Sequence, residues 1–377
     1  MNGWENSAPT VGVEEEYFLV HPETRGVEPA GTQVVARARA MVGDLVCGEF
    51  TEYQIEGKTP PCPGTEDLRR ELHRVRAAAV AAARAEGLHL CASGTPVLGA
   101  PRDASSRTEI GDHPRYRAGA DQYRAMLDDF SISALHVHVH LPDRELAVMA
   151  GNHLRPWLPL LVALSANSPF HEGYDTGYAS WRSIIRSRFP CLGPPPYAES
   201  LDHHERVAVA MAESEAMLEP GMPFWDLRPN PRLPTLEVRS MDVLADVDDT
   251  VALTALVRAL VVTSADRVVR GDPGPRPDAE VLRAAYWRAA RDGWPGSGVD
   301  ALSGRVLPVP EQAERLVRHV RPVLEAYGDM GEVSAFLRRL AARGTGAERQ
   351  RAWARDGAGP AGVVDALVRA TGRVSGP

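Results

Sequence analysis

The segment Thr10–Val20, TVGVEEEYFLV, sets Glu14, Glu15 and Glu16 inside an otherwise apolar run. In an extended strand successive side chains alternate between faces, so Glu14 and Glu16 share one face and Glu15 points to the other. Two carboxylates side by side repel unless something positive lies between them, and a divalent cation is one such partner. A second acidic segment, Cys47–Thr59 (CGEFTEYQIEGKT), carries Glu49, Glu52 and Glu56. Period two pairs Glu52 with Glu56 and sets Glu49 opposite, unless a bulge intervenes. A third, TLEVRSMD, places Glu237 and Arg239 on a common face. That pairing suits a site for both a metal and a phosphate: oxygens for the hard cation, a planar fork for the anion. A cross-strand ladder of ion pairs accounts for any single one of these glutamates equally well.

The stretch LHVHVHL alternates strictly, with His136, His138 and His140 on one face. Imidazoles spaced this way can bind a transition metal, hydrogen-bond a phosphate or hold carboxylates, and a single strand histidine is commonly structural. DTGYASWR supplies Tyr178, Trp181 and Arg182 beside a permissive Gly177. Arg182 could take a substrate carboxylate or a phosphate, while Tyr178 and Trp181 could equally pack a turn onto the body. No GxxxxGK[ST], no GxGxxG after a strand, no GxSxG and no HExxH is present. P-loop and Rossmann nucleotide binding therefore have no support here.

These residues need a sheet to carry them. Strands are expected at Thr10–Val20, Cys47–Thr59, the LHLCASGT segment, ISALHVHVHLPD and, as two short strands about a Pro-rich turn, FWDLRPNPRLPTLEVRSMDV. Thr65 is expected to cap a helix running to about Glu86, with Gly87 as its stop. A further helix is read over about Pro114–Asp128, after an irregular polar segment at 99–114. Asp143 opens a helix that meets Pro156 and Pro159 and should kink there. Residues 165–200 read as loop-rich. Beyond Asp246 the pattern is helical nearly to the end, with breaks near 271–277, 293–298 and 357–362. Strands before 245 and helices after it favour α+β over an alternating parallel α/β fold. No long linker is evident, so one domain is expected over 1–377, sheet-rich at 1–245 and helix-rich at 246–377.

At 377 residues, 44% hydrophobic and 24% charged, the chain reads as a soluble globular protein. Its formal charge of -8 argues against a general nucleic-acid binder. Cys47, Cys62, Cys91 and Cys191 show no CxxC spacing, so reduced buried thiols are expected rather than a disulfide framework. The N-terminus lacks a basic region followed by an apolar core, and no stretch reaches the roughly 20 apolar residues of a membrane span. A cytoplasmic protein with no membrane partner is the expectation.

Five ordered segments together resemble the carboxylate–amine ligase family also called glutamate–cysteine ligase type 2. They are GVEEEYFLV, QIEGKTPPC, HVHVHLPD, ALSANSPFHEGYDTGYASWR and FWDLRPNPRLPTLEVRSMDV, spanning residues 12 to 243. The resemblance implies a glutamine-synthetase-like fold, a curved antiparallel sheet forming a funnel with helices outside it. It implies ATP-dependent amide formation with Mg2+ on small-molecule carboxylate and amine substrates, through an acyl phosphate. It makes Glu14, Glu16, Glu56 and Glu237 metal ligands, with Glu49 accompanying them. It sets His136, with His138 after it, near the nucleotide phosphates, and Arg239 on the phosphate, so that Arg239, Glu56 and His136 carry the chemistry. Tyr178 and Arg182 look like substrate-side residues, and a homodimer is a reasonable expectation. The sequence departs from the family pattern at His140, where a glycine is usual, and at Gly57–Lys58, where small or apolar residues are usual. Those departures bear on the substrates more than on the ATP chemistry.

Two rival readings remain. A metallohydrolase using the His136/His138/His140 stripe predicts tightly bound zinc or manganese and no need for ATP. A catalytically inactive nucleotide-binding homologue predicts binding without turnover.

Overall fold

The computed structural model describes residues 8–100 and 109–373. Part of the segment expected to be irregular, residues 101–108, lies outside them. The chain is α+β, as expected. Its principal sheet has seven strands: β1 (Val11–Val20), β2 (Val46–Gly48), β3 (Gln54–Lys58), β4 (His89–Cys91), β5 (Ala134–His140), β8 (Leu227–Pro229) and β9 (Thr235–Asp242). Two small hairpins stand apart, β6 (Phe170–His171) with β7 (Tyr174–Asp175), and β10 (Ser297–Val299) with β11 (Val306–Pro308). The second begins at the break expected near 293–298 in the otherwise helical region.

Strand order runs β2-β3-β1-β5-β9-β8, and every pairing is antiparallel. The first strand is the shared one. Its N-terminal half pairs with β5 (Glu14 opposite His136, Gly12 opposite His138), and its C-terminal end pairs with β4 (Phe18 opposite Cys91). Its other edge takes β3, with Glu14 opposite Lys58, Glu15 opposite Gly57 and Glu16 opposite Glu56.

Alternation then sorts the side chains. Val11, Val13, Leu135, Val137, Val139, Leu236 and Val238 turn to one side and join a core with Val251, Leu253 and Leu256 of the helix Val247–Val269. Glu15 points to that helical side, as its position in the alternation predicts. Arg76, on the helix Thr65–Ala85, meets it there through Nε at 2.8 Å and through Nη2. Thr250 Oγ1 and the Tyr17 hydroxyl also donate to the same carboxylate. Both members of the ion pair are buried, and Arg76 continues to the carbonyl oxygens of Leu244 and Ala245 at 2.8 Å. Gly57 belongs to this face too. A Cβ there would stand 2.9 Å from Val75 Cγ1, so the close approach of the Thr65–Ala85 helix accounts for a residue without a side chain.

Several local expectations hold. Gly87 ends the first long helix region with φ +76, Asp143 Oδ1 accepts from Leu146 N at 3.0 Å, and the chain breaks into a 3-10 turn at Arg155–Trp157 between the two helices around Pro156 and Pro159. Others do not. Thr65 is the first residue of its helix rather than its cap; Gly64 holds that position without a side-chain bond. The helix at Pro114 stops at Tyr123 and continues only as a 3-10 turn. Cys47–Thr59 is two strands, β2 and β3, separated at Glu49–Tyr53, so period-two counting across it fails. Glu52 is thereby freed from the sheet and its carboxylate accepts from Thr32 N and Thr32 Oγ1, each at 2.9 Å, at the start of the helix Gly31–Val42.

Candidate active site

The other face of the sheet is polar, and the register sets its side chains side by side. Glu14 of β1 reaches between two histidines of β5: His136 Nδ1 lies 3.0 Å from Glu14 Oε2 and His138 Nε2 lies 3.5 Å from Glu14 Oε1. His136 Nε2 is 3.7 Å from Glu16 Oε1, and Glu16 Oε2 accepts from Ala134 N at 2.7 Å. Glu56 on β3 stands opposite Glu16 and accepts from Cys47 Sγ at 3.1 Å and Lys58 Nζ at 2.7 Å. Glu237 on β9 accepts from Arg228 Nε at 2.9 Å, Arg228 Nη2 at 3.2 Å, Asn230 Nδ2 at 2.7 Å and, through Nη1, Arg239.

Electrostatics divide these carboxyls. Burial would raise Glu14, but hydrogen bonds and charge from His136 and His138 hold it well below the usual carboxylate range. Burial would likewise raise Glu237, and the guanidinium groups of Arg239 and Arg228 hold it down. On the β3 side cations are scarcer. Burial and the charge of Glu14 push the Glu56 carboxyl up to about 7, against the pull of Lys58. Burial together with Glu16 and Glu56 pushes half-buried Glu49 well up. Burial and Arg239 lower His136 and favour its neutral ring, the form that ligates metals. In His138 the neighbouring Glu14 carboxylate, 3.5 Å from Nε2, and the charge of Glu237 overcome burial and raise it.

Two groups of side chains can each bring one ligand atom per residue within 4.8 Å of the others: Glu14, His136 and Glu237, and Glu16, Glu56 and His136. Both are dominated by carboxylate oxygens, a donor set suited to a hard divalent cation. Among the described residues the three histidines form no such group. His138 Nδ1 is 3.0 Å from Thr235 Oγ1, and His140 ends its strand. The hydrolase reading, which depends on the stripe acting together, finds no convergent imidazoles here.

These groups line one side of a cavity of about 540 Å³. Glu49 borders it. The lining also has an apolar part, contributed by Phe50, Tyr116, Phe130, Phe189, Leu192 and Phe224 from separate segments, together with Arg115, Arg186 and Arg232. Arg182 reaches the wall, but its fork is engaged: Nη1 and Nη2 donate to the carbonyls of Ser240 at 3.2 Å and Arg239 at 3.1 Å, with Asp242 3.7 Å away. Burial and the nearby Arg186 lower its pKa to about 10. It braces the strand that presents Arg239. Tyr178 is not among the lining residues; its ring packs edge-on against Trp181 and its hydroxyl accepts from Trp287 Nε1 at 3.2 Å. Arg228 and Asn230, which hold Glu237, were not singled out from the sequence. Their signal was Arg228 opposite Glu237 across the Pro-rich turn, visible only once the β8–β9 register is known.

Comparison with known proteins bears on the family and the fold. The model of the glutamate–cysteine ligase family 2 matches residues 10–364. A protein of Saccharopolyspora erythraea provisionally named glutamate–cysteine ligase 2-1 is 44% identical over 345 residues, covering 91% of this chain and 89% of its own. Among solved structures, a glutamate–cysteine ligase of Francisella tularensis in complex with AMP superimposes with a TM-score of 0.70 at 12% identity, over 97% of this chain and 89% of that one. A bifunctional glutathione synthetase of Pasteurella multocida gives 0.68 at 15% identity over 97% of this chain, which spans about half, 52%, of that protein. At such identities the two structures speak for the fold: the curved antiparallel sheet with outer helices expected from the sequence. No described helix is long and apolar enough to cross a membrane.

Proposed function

The chain belongs to the glutamate–cysteine ligase family 2, and from that premise we propose that it is an ATP-dependent carboxylate–amine ligase, its whole length forming one catalytic domain. The acid is glutamate, joined through its γ-carboxyl, and the amine is cysteine or a pathway-specific amine. The observation that carries the reading is the convergence of Glu14, Glu16, Glu56 and Glu237 around His136, with Arg239 beside Glu237, on one face of the sheet.

The donor set fits Mg2+, which Glu14, Glu16, Glu56 and Glu237 would hold, with Glu49 behind them. Bound with ATP, the metal supplies charge neutralisation along the phosphate chain. The chain's own residues do the rest. Arg228 and Asn230 orient the Glu237 carboxylate, as hydrogen-bonded partners behind a ligand do. Neutral His136, fixed by Glu14, presents its ring to the centre of the cluster and to the phosphates. Arg239 turns its guanidinium from Glu237 to the transferring phosphoryl group, where planar donors match the equatorial oxygens. The substrate carboxylate attacks the γ-phosphorus and ADP leaves. The amine then attacks the acyl carbon of the acyl phosphate and phosphate departs, the amine's proton passing to a base.

The test is ADP release from ATP and Mg2+ with glutamate and a panel of amines including cysteine. Amine-dependent ADP formation is expected, and the responding amine names the second substrate. ATP binding without turnover under every pair would favour the inactive homologue instead.

A further inference from the structure

The Glu16–Glu56–His136 group already has a cation beside it. Lys58 closes β3 directly opposite Glu14, and its Nζ lies 2.7 Å from Glu56 Oε2. The same oxygen accepts from Cys47 Sγ at 3.1 Å. The arginines that line the cavity have other ion-pair partners or none among these carboxylates: Arg228 and Arg239 meet Glu237, Arg182 meets Asp242 and the backbone of β9, Arg115 meets Glu219, Arg186 meets Asp226, and Arg232 forms no ion pair among the described residues. Among the described residues Lys58 is therefore the cation in direct contact with Glu56. Both residues line the cavity; the Lys58 side chain is 37% exposed while that of Glu56 is 6% exposed, so Lys58 is the member of the pair that solvent reaches. Gly57 before it belongs to the helical face, so Lys58 is the member of the Gly57–Lys58 pair that reaches the site.

We propose that Lys58 is a built-in monovalent occupant of the Glu16–Glu56–His136 position, competing there with a divalent cation. This rests on the ligase reading for its relevance to turnover, but not for its test. An ammonium and a hard dication seek the same carboxylate oxygens, and a flexible four-carbon stem lets the ammonium withdraw. The position then fills readily only when nucleotide phosphates offer Lys58 another anionic partner. Lys58 thus ties cation loading on the β3 side to the arrival of nucleotide.

The experiment measures Mn2+ binding to the full-length, nucleotide-free protein by equilibrium dialysis, without any turnover. Wild type, Lys58→Met, Lys58→Arg, Glu56→Gln and Lys58→Met/Glu56→Gln are compared. Lys58→Met is expected to strengthen one Mn2+ site by about tenfold or more, Lys58→Arg to stay near wild type, and the double variant to lose the gain. An unchanged or weaker isotherm in Lys58→Met overturns the proposal. So does a gain that survives in the double variant, since it would then reflect general charge removal. Should Lys58→Met fail to fold, Lys58→Gln carries the same comparison. A protein that releases no ADP with any substrate would defeat the ligase reading and leave these isotherms as informative as before.

Discussion

Arg239 donates through Nη1 to the Glu237 carboxylate two residues before it on the same strand, while Arg228 and Asn230 occupy the other lone-pair directions of that carboxylate. A carboxylate offers about four acceptor positions, so this one is full. A cation can bind Glu237 only as Arg239 lets go. Arg239→Ala is expected to lower ADP release on the order of 10³-fold, the scale of losing a phosphoryl-stabilising arginine. In the same variant Mg2+ should bind more tightly without nucleotide. Loss of turnover with weakened metal binding would show that Arg239 organises the carboxylates rather than serving the phosphate.

Glu14 bridges His136 and His138 and belongs to one of the two ligand groups. Glu14→Gln keeps the shape and removes the charge. ADP release should fall at least about 100-fold, in line with the loss of a metal-site group, with circular dichroism and unfolding cooperativity unchanged. Normal turnover in both Glu14→Gln and Glu237→Gln would remove the metal assignment.

Glu15 and Arg76 test the opposite face. Both are buried, and deleting one leaves the other's charge without its partner. Arg76→Met or Glu15→Leu alone should cost roughly 3–5 kcal/mol of stability in urea unfolding, and the double replacement much less. Glu15→Gln should leave the Mn2+ isotherm unchanged in whatever fraction folds, because this carboxylate does not face the cluster.

The Glu56 carboxyl, pushed up to about 7 by burial and Glu14, sets a pH dependence. Its folded value lies above the ordinary carboxylate value, so its contribution to stability is present below the ordinary value and is lost as pH rises through about 7. Lowering the pH from about 8 to about 6 should therefore raise the unfolding midpoint of the metal-free protein, and by less in Glu56→Gln. Mn2+ affinity should move the other way, weakening as the proton competes for the carboxylate. Equal pH slopes in wild type and Glu56→Gln would dispose of the assignment.

Much of the candidate site could be read before any coordinates, because period-two alternation survives in β1, in β5 and in β9 as far as Arg239, beyond which the β5–β9 register shifts at a bulge. Glu14, Glu16, His136, Glu237 and Arg239 share a face for that reason, and Glu15 leaves it. The reading failed where the chain turns. Thr51 accepts from Gln54 N and sits inside a turn that splits Cys47–Thr59, so Glu52 caps a helix. That helix, Gly31–Val42, went unread although its buried stripe of Gly31, Val34, Val35 and Ala38 has helical spacing; its first residue is a glycine, and its N-terminal support is twenty residues away in sequence. The apolar part of the lining left no signal at all, being assembled from residues as distant as Phe50 and Phe224. Arg182 was singled out for a substrate, and the structure shows its guanidinium bound to the backbone of β9.

The glutamate triplet in β1 also settles how the strand can be aligned. Sliding it by one residue against β3 and β5 would exchange the faces of all three side chains. Two carboxylates would then enter the helical layer, where Arg76 is placed to pair with one. The cavity would keep only one of the pair it needs. The misaligned sheet would have too much charge inside and too little in the cleft. The alternation of the three glutamates thus makes the observed register the one in which each carboxylate meets a cationic or hydrogen-bonding partner on its own face.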